Sequence, residues 1–207
     1  MNVTRLIGAA CLVAVALVPS LSANAAFIIT GGSSQPLPVI DNDFNSNLQA
    51  LGYTQMTTGG QLSVDQDGFV TFFYIAAESA FTNTFNTSAG SMVEADDAFN
   101  FAGYDSITVS VAAGDILDFS FTSDGGANAL TPVDNFSGTN LQGLGIFTGS
   151  SLQQVVLGYD DQNINPDDNH DDMLVRVDFS PVPVPAAVWL FGSGLLALIG
   201  VSKSRKK

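Results

Sequence analysis

Positive charge is nearly missing from the middle of this sequence. Five of its six Lys and Arg residues stand near the ends (Arg5, Lys203, Arg205, Lys206 and Lys207), which leaves Arg176 as the sole cation of residues 26–180. All 20 Asp and Glu fall in that same stretch, so its formal charge is 1 − 20 = −19, against −14 for the whole chain. A surface of this kind repels phosphate backbones and excludes nucleic acid as a partner. Cations, divalent ones included, and neutral glycans remain. Without a lysine in the stretch, lysine-based isopeptide cross-links are excluded as well. Cysteine is equally scarce, since the single Cys, Cys11, lies near the start. A domain with no disulfide is held by its core or by bound ions. The single histidine, His170, cannot assemble a zinc site, which needs three or four N or S ligands. It also carries any case for a Ser-His-Asp triad, and no Gly-x-Ser-x-Gly nucleophile elbow accompanies it. We expect a loop residue whose acidic neighbours favour its protonated form. Glutamate is rare too: Glu78 and Glu94 are the only two, and the bias towards Asp suits turns and oxygen-rich metal loops.

What is present at the two ends reads as an address. Residues 1–25 carry Arg5, an apolar stretch from Leu6 to Val18, Pro19, and the small-residue site Ala23-Asn24-Ala25. That order is the pattern of a secretory signal peptide cleaved before Ala26. The apolar stretch is short for a membrane span, and the downstream cleavage site explains the segment without lipidation of Cys11. Residues 181–207 hold Val182-Pro183-Val184-Pro185, an apolar run over 184–201, and a basic end. About 18 residues at 1.5 Å each just cover a hydrocarbon core. Trp189 fits as an interface anchor, and Lys203, Arg205, Lys206 and Lys207 as a stop-transfer cluster on the cytoplasmic side.

The stretch from Val182 to Leu196, followed by that basic end, closely resembles the PEP-CTERM sorting tail of Gram-negative bacteria, which an exosortase recognises and cuts. Val184 stands where the usual Val-Pro-Glu-Pro motif has glutamate. The resemblance covers the tail and implies a sequence of events. The chain is exported through the Sec translocon, held transiently in the inner membrane by its C-terminal helix, processed by exosortase, and passed to the cell surface or extracellular matrix, with exopolysaccharide as a candidate partner.

Between the ends, residues 26–180 predict an all-β fold, a single antiparallel β-sandwich or jelly-roll domain. Gln61-Leu62-Ser63-Val64, the turn composition Asp65-Gln66-Asp67-Gly68 and the aromatic, β-branched run Phe69 to Ile75 predict a hairpin. A second hairpin is expected where Ile107, Val109 and Val111 alternate with polar residues, Ala112 to Asp115 turns, and Leu117, Phe119 and Phe121 alternate again. Leu144 to Phe147, Gln154 to Tyr159 and Met173 to Phe179 give three further strands, and short helices fit Asn45 to Leu51 and Met92 to Phe99.

Chemistry concentrates in Asp160 to Asp172, where nine of 13 residues are Asp or Asn. Calcium takes 6–8 oxygens from carboxylates, amides and carbonyls. Asp161, Asn163, Asn165, Asp167, Asn169 and Asp171 alternate, so an extended chain turns them to one side as candidate ligands for Ca2+. The stretch is no EF-hand, because Pro166 occupies the glycine position and Asp172 the position of the bidentate Glu. A solvated acidic turn fits the same residues. The segment also resembles the Asp-rich stretch placed before the sorting tail in PEP-CTERM surface proteins, and Glu78-Ser79-Ala80-Phe81-Thr82-Asn83-Thr84-Phe85 resembles a stretch of some of their bodies. Phe69-Val70-Thr71-Phe72-Phe73-Tyr74 offers either a sugar-stacking platform or core. Three classes follow: a non-enzymatic envelope or matrix protein, which the absent catalytic motifs favour; a glycan-binding adhesion module; and a matrix hydrolase.

Overall fold

Among the described residues, eleven strands form two antiparallel sheets. The strands are β1 Phe27–Pro36, β2 Gln55–Val64, β3 Gly68–Ala76, β4 Asn83–Thr87, β5 Gly90–Val93, β6 Asp105–Val111, β7 Phe119–Ser123, β8 Val133–Asp134, β9 Leu144–Thr148, β10 Gln154–Tyr159 and β11 Met173–Pro181; helix α1 spans Asn45–Ala50, and a 3-10 turn spans Leu141–Gly143. The large sheet runs β1-β2-β9-β10-β11-β3-β6 and the small one β5-β4-β7-β8. This computed structural model describes residues 26–94, 98–125, 132–161 and 169–182, with Phe191 and Gly194. The expected signal peptide and nearly all of the expected span over 184–201 lie outside the described residues, as do Pro183, Val184, Pro185 and the basic cluster Lys203, Arg205, Lys206 and Lys207. Among the described residues no helix is long and apolar enough to cross a membrane.

The expected all-β sandwich is the observed architecture, but both expected hairpins are absent. β2 pairs with β1 and β9, whereas β3 pairs with β11 and β6, so Phe72 faces Ile107 and Val177. Asp65 to Asp67 therefore form a corner, and their polar groups tie other segments: Asp65 Oδ1 accepts the Ala26 N–H at 2.8 Å and Asp67 Oδ1 the Ala113 N–H at 2.8 Å. The second turn does form, with Asp115 N–H donating to the Ala112 carbonyl at 3.0 Å. It sends the chain into the other sheet, where β7 pairs with β4 and β8. A period of two identifies the face of a strand that is buried; it carries no information about which strand lies alongside. Beyond β6, Gly114 N–H and Asp115 C=O bond to Val64, and Leu117 N–H bonds to the Leu62 carbonyl. The large sheet thus curls until the continuation of its last strand meets its second.

Helix α1 fulfils the first helical expectation. The second fails, because Met92 and Val93 belong to β5, with Met92 paired to Phe85 and buried between the sheets. Burial of a large apolar side chain outweighs a helix propensity of a few tenths of a kcal/mol per residue. Between the sheets, Phe72, Phe85, Phe119 and Phe121 pack ring on ring at centroid distances of 5.0–6.2 Å. A second core covers the outer face of the large sheet, where Leu48 of α1 joins Tyr53, Met56, Ile75, Phe147, Val156 and Leu174. Strands β9, β10 and β11 are consequently buried on both faces, which accounts for their nearly continuous apolar sequences.

Candidate functional site

The acidic stretch begins where β10 ends. Tyr159, the last residue of β10, stacks on Phe121 at 5.0 Å and 13° and holds that strand end in the inter-sheet core. Asp160 and Asp161 follow at once, both buried. On the return, Asn169, His170 and Asp171 are buried as well, and Asp172 leads into β11. The third contributor is the crossing from β3 to β4, residues 77–82, which passes the same pole on its way to the small sheet.

Hydrogen bonds bind these three segments into one cluster. Asp161 Oδ2 accepts from Ser79 Oγ at 2.7 Å and from Asn83 Nδ2 at 3.0 Å. Asp172 Oδ2 accepts the Asp161 N–H at 2.7 Å, and Glu78 N–H donates to the Asp171 carbonyl at 3.2 Å. Asn169 and Asp171 turn towards another neighbour, the loop before α1. There Asp171 Oδ2 accepts the Asp43 N–H at 2.7 Å, and Asn169 exchanges bonds with Asn42 and the Asp41 carbonyl. His170 adopts φ +58° and sets Nε2 2.8 Å from the Gln142 carbonyl.

Electrostatically the cluster is one-sided. Asp160, Asp161 and Asp171 are almost wholly removed from solvent. The sole cation of residues 26–180 is engaged elsewhere: Arg176 lies 4.0 Å from the Phe73 ring centre and 4.9 Å from that of Phe101, pairs with Asp178 at 3.2 Å, and donates to the Phe101 carbonyl. Burial pushes the Asp172 carboxyl up to about 8, against the hydrogen bond from Asp161 N–H and with the charges of Asp161, Asp160 and Asp171. Burial likewise raises the Tyr159 phenol, helped by Asp161, Asp172 and Asp160. Asp161 Oδ1, Asn83 Oδ1 and the Tyr159 hydroxyl are among the buried atoms without a hydrogen-bond partner. Each such atom costs about 1–3 kcal/mol unless something other than the protein satisfies it. Among the described residues, no three His, Cys, Asp or Glu side chains are grouped to hold a metal ion.

Of the six candidate ligands, Asn163, Asn165 and Asp167 lie outside the described residues. Asp161 faces the β3–β4 crossing, while Asn169 and Asp171 bond to residues 41–43. The side chains brought to Asp161 are Ser79 and Asn83, neither of which follows from the acidic stretch alone. Their signal lay in the segment Glu78 to Phe85, legible as a unit without its destination. The aromatic run divides by strand period. Val70, Phe72 and Tyr74 are buried in the inter-sheet core, Phe73 lies beneath Arg176, and Phe69 is half exposed. Set against protein families, curated proteins and solved structures, the chain matches none.

Proposed function

We propose that this chain is an exported, exosortase-sorted protein of the Gram-negative cell envelope or exopolysaccharide matrix, that it acts without catalysis, and that its acidic pole takes up calcium. The observation that carries this reading is the contrast between the two ends of β11. At one end Pro181 and Val182 lead towards the sorting motif, with Val182 N–H on the Asp67 carbonyl at 3.0 Å. At the other stands Asp172. Nine strand residues separate them, about 30 Å at 3.3–3.4 Å per residue. Ala26, which would follow the cleaved signal, bonds to Asp65 at the same pole as Val182. Both targeting segments therefore adjoin one pole, and a body tethered there presents its acidic pole away from the membrane. The absence of catalysis is supported by His170, whose side chain is buried and whose Nε2 is committed to a backbone carbonyl.

Intact-mass measurement of protein extracted from the cell surface tests the sorting. The expected species begins at Ala26 and lacks the basic end. A surface species that still carries Lys207 overturns the proposal that the tail is a removable anchor.

A further inference from the structure

We propose that Asp161, Asp172 and Asn83 furnish the protein side of a calcium site that clamps the two sheets together at the acidic pole. This rests on the calcium reading above and names its ligands. The unmet bonding comes first. Asp161 commits Oδ2 to Ser79 and Asn83, while its other oxygen, Oδ1, is buried without a partner. Asn83 is fully buried, and its amide oxygen has no partner either, although its Nδ2 fixes the group against the Asp161 carboxylate. A carboxylate oxygen and an amide oxygen are thus held in one dry neighbourhood, each lacking a donor, a state that a bound cation relieves. Asp172 adjoins the pair: its Oδ2 accepts the Asp161 N–H at 2.7 Å, and its carbonyl lies 3.5 Å from Asn83 Nδ2.

The donor set selects the ion. Every ligand is oxygen, two of them carboxylates and one an amide, which suits a hard cation. Calcium completes a shell of 6–8 with carbonyls and water in flexible geometry, whereas magnesium demands a near-ideal octahedron and keeps its water. Arg176, paired with Asp178, provides no counter-charge here. Placement then assigns the role. Asn83 opens β4 of the small sheet, whereas Asp161 and Asp172 flank the connection between β10 and β11 of the large one. An ion held by all three ties the sheets where the chain crosses between them.

The test uses the full-length chain in detergent, with binding followed by titration calorimetry and melting recorded in EDTA and in about 1 mM calcium. The parent is expected to bind with a Kd on the order of 10⁻⁴–10⁻³ M and to melt several degrees higher in calcium than in EDTA. Asp161→Asn and Asn83→Ala are expected to weaken binding about tenfold or more, while Asn83→Asp, which keeps an oxygen, retains it. In EDTA, Asp161→Asn is expected to melt no lower than the parent, because one of several crowded carboxylates is gone; a purely structural Asp161 lowers melting in both conditions. Equal calcium binding by the parent, Asp161→Asn and Asn83→Ala overturns this site and leaves the broader calcium reading standing. Loss of binding only when Asn163, Asn165 and Asp167 are replaced has the same meaning. A parent that binds no calcium overturns both.

Discussion

Gly158 shows how much of the acidic pole depends on a missing side chain. It lies in β10 directly beneath His170, and a Cβ there would strike the His170 carbonyl oxygen and come within 2.7 Å of the Phe147 ring. Neither can yield cheaply. The carbonyl belongs to a backbone fixed at φ +58°, and Phe147 is buried in the outer core. Gly158→Ala is expected to destabilise by about 2–3 kcal/mol through overpacking, measured by urea unfolding. Gly114→Ala is the comparison: its φ of +89° is strained for a side chain, but nothing lies within 4 Å, so the cost is about 1 kcal/mol. A smaller loss at Gly158 than at Gly114 would contradict this account. The same scale explains why Ser79 and Asn83 were illegible as site residues, since Ser and Asn occur throughout the chain and only the fold carries these two to Asp161.

At the level of elements, the junction between β2 and the chain beyond β6 replaces the expected hairpins. Its peg is Asn135, fully buried just after β8. The side chain accepts the Leu62 N–H at 2.8 Å and donates to the carbonyls of Leu62 at 2.9 Å and Leu117 at 2.7 Å. It thereby completes hydrogen bonding along β2 where β9, paired only with Gln55 to Thr58, no longer reaches. Asn135→Ala strands the Leu62 N–H and the Leu117 carbonyl, while the Leu62 carbonyl keeps its bond from Leu117 N–H, and is expected to cost about 2–3 kcal/mol. Amide exchange at Leu62 and Leu117 should accelerate selectively. Unchanged protection at both would show that the junction does not depend on this side chain. Elements themselves were legible where alternation was strong, as in β6 and β7, or where short apolar runs were nearly continuous, as in β9, β10 and β11. Their partners were not, because pairing over such sequence separations is decided by the two cores.

Across the whole molecule, charge is the organising feature, with −19 on residues 26–180 and several carboxylates buried at one pole. Proton binding offers relief when no metal is present. The Asp172 carboxyl moves from an ordinary 3.8 to about 8 on folding, so between those values the folded state holds a proton that the unfolded chain has lost. Its stabilising contribution is full below about pH 4 and is lost as pH rises through about 8. In EDTA, melting of the parent is expected to fall from about pH 5 to about pH 8, and less steeply in Asp172→Asn, which cannot titrate. Identical slopes in the two proteins would refute the assignment. The groups acting on Asp172 are Asp161, Asp160 and Asp171, with no cation among them.

Some properties of this protein follow from the order of residues alone. The partition of charge, the lack of disulfides within residues 26–180, the β class and the apolar and basic order of the two ends are local or additive quantities, and a linear sequence contains them in full. The fold decided the rest. It opened two apparent hairpins, setting β2 and β3 apart within the large sheet and β6 and β7 in different sheets, because alternation fixes a buried face and leaves the neighbour free. It took Met92 into a strand because the inter-sheet core had room for it. It turned Asn169 and Asp171 towards residues 41–43 and set Asn83, 78 residues earlier in the chain, against Asp161. A site assembled from three segments depends on which strand ends share a pole, and that is a property of sheet topology rather than of spacing.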